Sequence, residues 1–171
     1  MSAANSSTEV TKTKSPSGTV RILGILLAIA GAIMLISGGV AWGMVTSQLK
    51  AQEMTVPGDA PSNAGKPVAG PFTAWSMQEI IDIHATGATG GETYATLGDR
   101  VDEAKEQFGE DSEEAAELQG LRNTAQSASF LRASLFTSIL AFGVSFLVMG
   151  LGITTALTGA AFIVSSKSTR P

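Results

Sequence analysis

The residues that could carry chemistry in this sequence begin with its one histidine, His84, and the carboxylate of Asp82 two positions earlier. Side chains two positions apart on a helix point to different sides, whereas two helical ligands of one metal ion commonly stand four positions apart. A non-heme iron site with two histidines and one carboxylate would need a second histidine, which this sequence lacks. A proton relay or a metal ligand shared with a partner stays open, but the pattern favours a surface or contact histidine.

A run of acidic residues is the second candidate. It could bind a cation or a basic partner, but it lacks the alternating ligands and the glycine of a calcium loop, which favours a solvated face. The sequence also has no glycine-rich phosphate loop with its lysine and no basic aromatic patch for nucleic acid. We therefore predict no catalytic, cofactor-binding or metal-binding residue and no nucleic-acid partner. The run comprises Asp99, Asp102, Glu103, Glu106, Glu110, Asp111, Glu113, Glu114 and Glu117.

The apolar residues are concentrated in two blocks, which is typical of a membrane protein. Hydrophobic residues make up 44% of the 171 residues and charged residues only 15%, against about 25% charged in soluble domains. Uncharged stretches run through residues 22–45 and 133–164. The chain has no cysteine, so no disulfide or thiolate site can hold the remaining segments.

The first block predicts a transmembrane helix. Its 24 residues would extend about 36 Å as a helix, enough to span the ~30 Å hydrocarbon core with some tilt. Trp42 near its outer end suits an interfacial anchor. A cleaved signal peptide is the alternative, but its apolar region would be only about 7 to 15 residues long.

The second block predicts another transmembrane helix, centred on residues 135–157. Its 32 residues exceed the ~20 that a span needs, so tilt, projection into water or a break near Gly150 and Gly152 must absorb the excess. Re-entrant hairpins are an alternative for both blocks, but the blocks are longer than re-entry requires. Neither span contains an ionisable residue, which counts against a transporter or proton channel formed by this chain alone.

The distribution of charge predicts the orientation. Residues 50–132 carry 6 Lys and Arg against 14 Asp and Glu, whereas the two ends carry five basic residues against Glu9 alone. Because basic residues next to a span resist translocation, both ends are predicted to be cytoplasmic and the acidic middle extracytoplasmic.

The predicted architecture is an all-α membrane protein: a helical hairpin of two transmembrane helices, an extracytoplasmic loop with short helices, and a second membrane helix that extends outside the bilayer. Prolines and glycines exclude a helix from residues 54–71. A capping pattern predicts a helix that starts at Ser76 and ends before Gly87, followed by a single turn at 92–97 and a short helix at 99–108. The predicted segments are a disordered tail (1–20), the first transmembrane helix (21–48), the loop (49–111), the long second helix (112–164) and a tail (165–171).

Small residues recur along both spans and predict close helix packing, either within this chain or against a partner. In the first span they include a GxxxG pattern at Gly39 and Gly43. The whole set is Gly24, Ala28, Gly31, Ala32, Gly39 and Gly43 in the first span, and Ser134, Ser138, Ala141, Ser145, Gly152, Ala156 and Ala160 in the second.

Three strings, AWGMVTSQL (41–49), GPFTAW (70–75) and SFLRASLFTSILAFGVSFLVMGLG (129–152), resemble a family of small two-span membrane proteins of actinobacteria. These proteins are often labelled automatically as aromatic ring-opening dioxygenases, a label that conflicts with the single histidine. The family resembles an accessory subunit of the actinobacterial cytochrome bc–cytochrome oxidase respiratory supercomplex. The resemblance covers about half the chain and excludes residues 99–120.

The resemblance implies a non-catalytic accessory subunit of the cell membrane whose partners are membrane lipid and respiratory subunits, with hemes in those partners and no cofactor on this chain. The alternative is a free-standing or self-associating envelope or assembly protein, in which Gly39 and Gly43 would form a homodimer. The predicted partner contacts are Gly39, Gly43, Trp42, Phe72, Trp75, Ser134, Ser138, Ala141 and Ser145.

Overall fold

The structure, a computed structural model, describes residues 17–168 and contains four helices over that range. They are α1 (Ser17–Ala51), α2 (Pro71–Ala88), α3 (Tyr94–Phe108) and α4 (Glu113–Ser168). The residues described form no strand, only an isolated bridge between Thr55 and Pro67. The prediction of an all-α chain with two long apolar helices is confirmed.

The two long helices, α1 and α4, are long and apolar enough to cross a membrane. Only 11% of the most apolar stretch of α1 and 17% of that of α4 are buried within the chain. A core helix of a soluble protein would instead bury most of such a stretch. α4 runs for 56 residues without interruption, so no break at Gly150 or Gly152 absorbs its excess length.

The predicted tails are partly helical. α1 already includes residues 17–20 and α4 continues through residues 165–168. The rest of the two predicted tails, residues 1–16 and 169–171, lies outside the described residues.

α2 begins five residues earlier than the capping pattern predicted. Pro71 occupies the first turn, where its missing N–H costs nothing and its fixed φ suits a helix. The Thr73 hydroxyl accepts hydrogen bonds from the backbone N–H groups of Ala69 and Gly70. Ser76, the predicted N-cap, is buried inside the helix, and its hydroxyl lies 2.7 Å from that of Ser62 in the preceding loop.

α3 is one helix of 15 residues where the sequence predicted a separate turn and helix. Thr93 caps it: its hydroxyl accepts from the Thr96 N–H, and the Thr96 hydroxyl accepts from the Thr93 N–H. Gly98, which lies between the predicted turn and the predicted helix, leaves room for a neighbouring side chain. A Cβ there would lie 3.0 Å from the guanidinium of Arg122, which also covers the Tyr94 ring at 4.3 Å.

The contacts divide the chain into two units, residues up to Leu35 with those from Gly150 onward, and Ile36–Met149. In the second unit the loop between α1 and α2 packs through Val56 and Val68, each 1% exposed, on a cluster that includes Leu49 and Leu135. Backbone hydrogen bonds from Val56 to Lys66 and from Val68 to Met54 hold the loop in that position. Burying two such side chains contributes about 1.5 to 3 kcal/mol each.

Candidate interaction surfaces

In the first unit α1 and α4 touch backbone to backbone at glycines. A Cβ added to Gly31 would lie 2.5 Å from the Ala156 nitrogen and 2.6 Å from the Gly152 oxygen. A Cβ on Gly159 would lie 2.6 Å from the Gly24 oxygen. No larger residue fits at these positions without a shift of the backbone. These small residues are therefore used for contact between the two helices of one chain.

The second unit continues this use of small residues. A Cβ on Gly38 would lie 2.9 Å from the Ser145 oxygen. Ser145 is buried, and its hydroxyl donates to the Ala141 carbonyl at 2.8 Å. Beside them the Trp42 and Phe142 rings meet edge to face, with centroids 4.7 Å apart. Trp42 and Ser145, two predicted partner contacts, thus pack inside the chain.

Gly38 and Gly159 were not among the packing residues predicted from the sequence, and Gly39 and Gly43 were grouped with Gly24 and Gly31. The signal that separates them is a repeat of seven. Gly24, Gly31 and Gly38 are spaced by seven in α1, as are Ser145, Gly152 and Gly159 in α4. A repeat of seven keeps residues on the seam between two helices.

Gly39 and Gly43 lie on a different face of α1. Both are exposed, and a Cβ added to either would meet nothing within 4 Å among the described residues. The GxxxG pattern is therefore not used for packing within residues 17–168. Such a pattern lets a second helix approach closely.

Of the serines predicted to contact a partner, Ser134 is exposed and Ser138 is half-buried. The Ser138 hydroxyl donates to the Ser134 carbonyl at 3.2 Å, so it brings no unsatisfied donor to a helix contact. Both line a cavity of about 250 Å³ between α4 and the end of α1. Its other lining residues are Gln48, Leu49, Gln52, Met54, Leu131 and Leu135.

The aromatic residues predicted as contacts stand at the start of α2. Phe72 is 80% exposed and Trp75 is 49% exposed. The Trp75 ring meets Phe136 of α4 edge to face, with centroids 5.8 Å apart. This contact fixes the level of the first turn of α2 along α4.

A polar contact attaches α2 to α4 one turn further along. The Arg132 guanidinium lies 2.6 Å from the Asp82 carboxylate, and its Nε donates to the Gln78 side-chain oxygen at 3.4 Å. Gln78 is 5% exposed, so this group is partly shielded from water. Arg132 is the last charged residue of α4 before its uncharged stretch.

His84 and Asp82 do not act together, because they have different partners. The Nε2 of His84 donates to the Asp59 carboxylate at 2.7 Å, and both side chains are more than half exposed. This hydrogen bond lowers the pKa of Asp59 below its ordinary value. The pair attaches the loop between α1 and α2 to α2.

A cavity of about 500 Å³ lies between α2 and α4, and His84 is the only titratable residue among those that line it. Apart from His84, the walls are formed by apolar side chains, two hydroxyl groups and the amide of Asn123. No general acid and base are brought together there. The other lining residues are Ile81, Ala85, Ala88, Asn123, Thr124, Ser127, Ala128 and Leu131.

The acidic run lies on the surface of α3, the turn that follows it and the start of α4, and all nine of its side chains are exposed. One ion pair, between Lys105 and Glu110 at 3.6 Å, neutralises a small part of it. Among residues 17–168 no three His, Asp or Glu side chains group so that they could hold a metal ion. These residues form an exposed acidic face in the described chain.

Comparison with protein-family models, with curated protein sequences and with solved structures found no match to this chain.

Proposed function

We propose that α1 and α4 cross the cell membrane as a helical hairpin, with both ends in the cytoplasm and the acidic segment, residues 50–132, on the outer side. The proposal is supported by the many large apolar side chains that the two helices leave exposed. Water would disfavour that surface by about 25 cal/mol per Å². The basic residues at both ends of the chain support the orientation.

Within that membrane the chain acts as a non-catalytic accessory subunit of a larger membrane complex. The observation that carries this proposal is the exposed GxxxG face. The hairpin already closes through Gly24, Gly31 and Gly38, so Gly39 and Gly43 are not needed for it. A surface that admits close backbone approach, yet meets nothing within the described chain, suits a helix of another subunit.

The resemblance of the three strings makes the actinobacterial cytochrome bc–cytochrome oxidase supercomplex the proposed partner. Under this proposal the hemes belong to the partner subunits. The exposed residues Gly39, Gly43 and Ser134 and the half-buried Ser138 supply the contacts of this chain. A role in assembly or stability fits the single histidine, which holds a loop through Asp59.

A second candidate function is a self-associating envelope protein. The same observation favours it, because GxxxG faces of two identical helices pack against each other in membrane dimers. The two candidates differ in what occupies the face of Gly39 and Gly43. One experiment can therefore address both.

The experiment is an affinity purification in mild detergent through a tag at the C-terminus, with a heme difference spectrum of the eluate. The full chain is compared with a Gly39→Ile, Gly43→Ile variant and with Met44→Ile, a control at an exposed α1 residue away from the glycine face. Because Cβ atoms at Gly39 and Gly43 meet nothing, the hairpin should tolerate the double variant.

We expect b-type, c-type and a-type heme absorbance with the full chain and the control, and its loss with the double variant. Heme retained by the double variant would keep the respiratory partner but reject the glycine face. A heme-free eluate in which the chain is a dimer, separated by the double variant, would favour self-association. A heme-free monomer would contradict both candidates.

A further inference from the structure

The first turn of α2 lies at the level of the uncharged part of α4. Contacts between the two helices follow one order: Asp82 and Gln78 meet Arg132, and Trp75 meets Phe136. Going back along α2 therefore means going forward along α4, so the helices are antiparallel. Phe72, almost one turn before Trp75, lies beyond the level of Phe136.

At this level neither α2 nor α4 has a charged residue. After Arg132 the next charged residue of α4 is Lys167. In the loop and α2, residues 67–78 contain no Asp, Glu, Lys or Arg, and the first turn of α2 has no acidic residue. Trp75 and Phe72 thus lie at the level of the uncharged stretch of α4 that is proposed to lie in the bilayer.

The surface at this level is apolar and uncovered. Phe72 is 80% exposed and Trp75 49%, and on α4 Phe136 is 40% and Leu140 69% exposed. Phe72 is large and apolar, yet the described residues leave four-fifths of it uncovered. The patch is continuous with the apolar surface of α4, for which lipid is the proposed surroundings.

Some of the backbone polar groups next to the start of α2 are hydrogen-bonded within the chain. A helix start normally presents free N–H groups, which are costly to place in lipid. Pro71 has no N–H, and the Thr73 hydroxyl accepts from the N–H groups of Ala69 and Gly70, which precede the helix, at 3.0 and 3.2 Å. The hydroxyl itself donates to the Gly70 carbonyl. Among the residues described, no side chain caps the N–H groups of the first turn itself.

We infer that the first turn of α2 is immersed in the outer leaflet of the bilayer, with Phe72 and Trp75 in contact with lipid. This inference rests on the proposed membrane insertion of α1 and α4. Trp75 would sit near the glycerol level, where tryptophan is enriched, and Phe72 nearer the acyl chains. α2 thereby supports the outer segment on the membrane surface. Contact of the two aromatics with a protein partner is the competing outcome.

The chain has two tryptophans, Trp42 and Trp75, so each can be observed alone. The full chain is reconstituted in phosphatidylcholine vesicles as Trp42→Phe, which keeps Trp75, and as Trp75→Phe, which keeps Trp42 in the first span. Tryptophan fluorescence is measured with lipids brominated near the carbonyl end or near the methyl end of the acyl chain. A third variant, Phe72→Trp on a background without the other two tryptophans, reports the position of residue 72.

We expect bromine near the carbonyl end to quench Trp75 more than bromine near the methyl end does. The deeper bromine near the methyl end should quench a tryptophan at position 72 more than it quenches Trp75. Quenching of Trp42 without quenching of Trp75 would overturn this inference, because water or protein would then cover α2. The proposed membrane insertion of α1 would remain intact in that case. Failure of every tryptophan to be quenched, with the chain bound to vesicles, would reject the proposed insertion as well. Equal quenching at positions 72 and 75 by both lipids would contradict the proposed depth order.

Discussion

Gly31 of α1 and Ala156 of α4 lie so close that a Cβ added to Gly31 would be 2.5 Å from the Ala156 nitrogen. Real Cβ atoms do not approach a neighbour to this distance, so any side chain at position 31 must separate the helices locally. A Cβ added to Gly39, eight residues further along α1, would meet nothing within 4 Å among the described residues. The two glycines look alike in the sequence but have opposite roles in packing.

Gly31→Ala should therefore destabilise the helical hairpin by about 1 to 3 kcal/mol, the usual cost of overpacking. The matched variant Gly39→Ala should leave the stability of the isolated chain unchanged or slightly raised, because alanine favours a helix. The stability of both variants is measured by unfolding in mixed detergent micelles, monitored by circular dichroism. Equal effects of the two substitutions would contradict the assignment of separate faces.

The pair His84 and Asp59 predicts a pH dependence. Because the pKa of Asp59 is lowered in the folded chain, the hydrogen bond stabilises the folded chain at pH values above the pKa of unfolded aspartate. That contribution is lost as the pH falls through the pKa of folded Asp59. In His84→Ala the pKa of Asp59 should rise towards the ordinary aspartate value, as measured by NMR titration of its carboxyl carbon. His84→Gln, which keeps an N–H donor, should restore part of the lowering; an unchanged pKa in His84→Ala would reject the pair.

The ion pair between Asp82 and Arg132 should hold α2 on α4. Asp82→Asn removes the charge but keeps the size, and should speed backbone hydrogen exchange in α2 by an amount equivalent to about 0.5 to 1 kcal/mol, since the pair is partly exposed. Glu92→Gln, which removes the ion pair with Arg100, is the matched control and should leave exchange in α2 unchanged. Equal exchange rates in α2 of both variants would contradict a role for Asp82 in holding this helix.

Leu97 is fully buried at 0% exposure, whereas Phe108 in the same helix is 55% exposed. Leu97→Ala should destabilise the outer segment by about 2 to 5 kcal/mol, because it leaves a cavity. Phe108→Ala should cost much less. The rate at which a protease cleaves the outer segment in detergent is measured for both variants. Equal rates for Leu97→Ala and Phe108→Ala would mean that α3 is not packed as described.

The long helices could be predicted from the sequence because their signal is local. An uncharged run of more than 20 residues has few stable alternatives to a helix. The start of α4 at Glu113 also follows from Ser112, whose hydroxyl accepts from the Ala115 N–H.

The start of α2 could not be predicted in this way, because two local signals competed. Ser76 and Glu79 resemble a cap, but Ser76 bonds to Ser62, fourteen residues away, a contact that no local pattern reveals. Pro71 and Thr73 determined the start instead. The pairing of His84 with Asp59 was missed for the same reason, since 25 residues separate them.

The central claim is that the outer segment and the two ends of the chain lie on opposite sides of a membrane, and cysteine labelling tests it most directly. The chain has no cysteine of its own, so Gln107→Cys on exposed α3 and Thr169→Cys at the C-terminus each introduce a single thiol. In intact cells from which any outer envelope layer has been removed, a membrane-impermeant maleimide should label the cysteine at 107 and reach the cysteine at 169 only after permeabilisation. Labelling of both before permeabilisation, or of 169 alone, would contradict the proposed topology and the functions built on it.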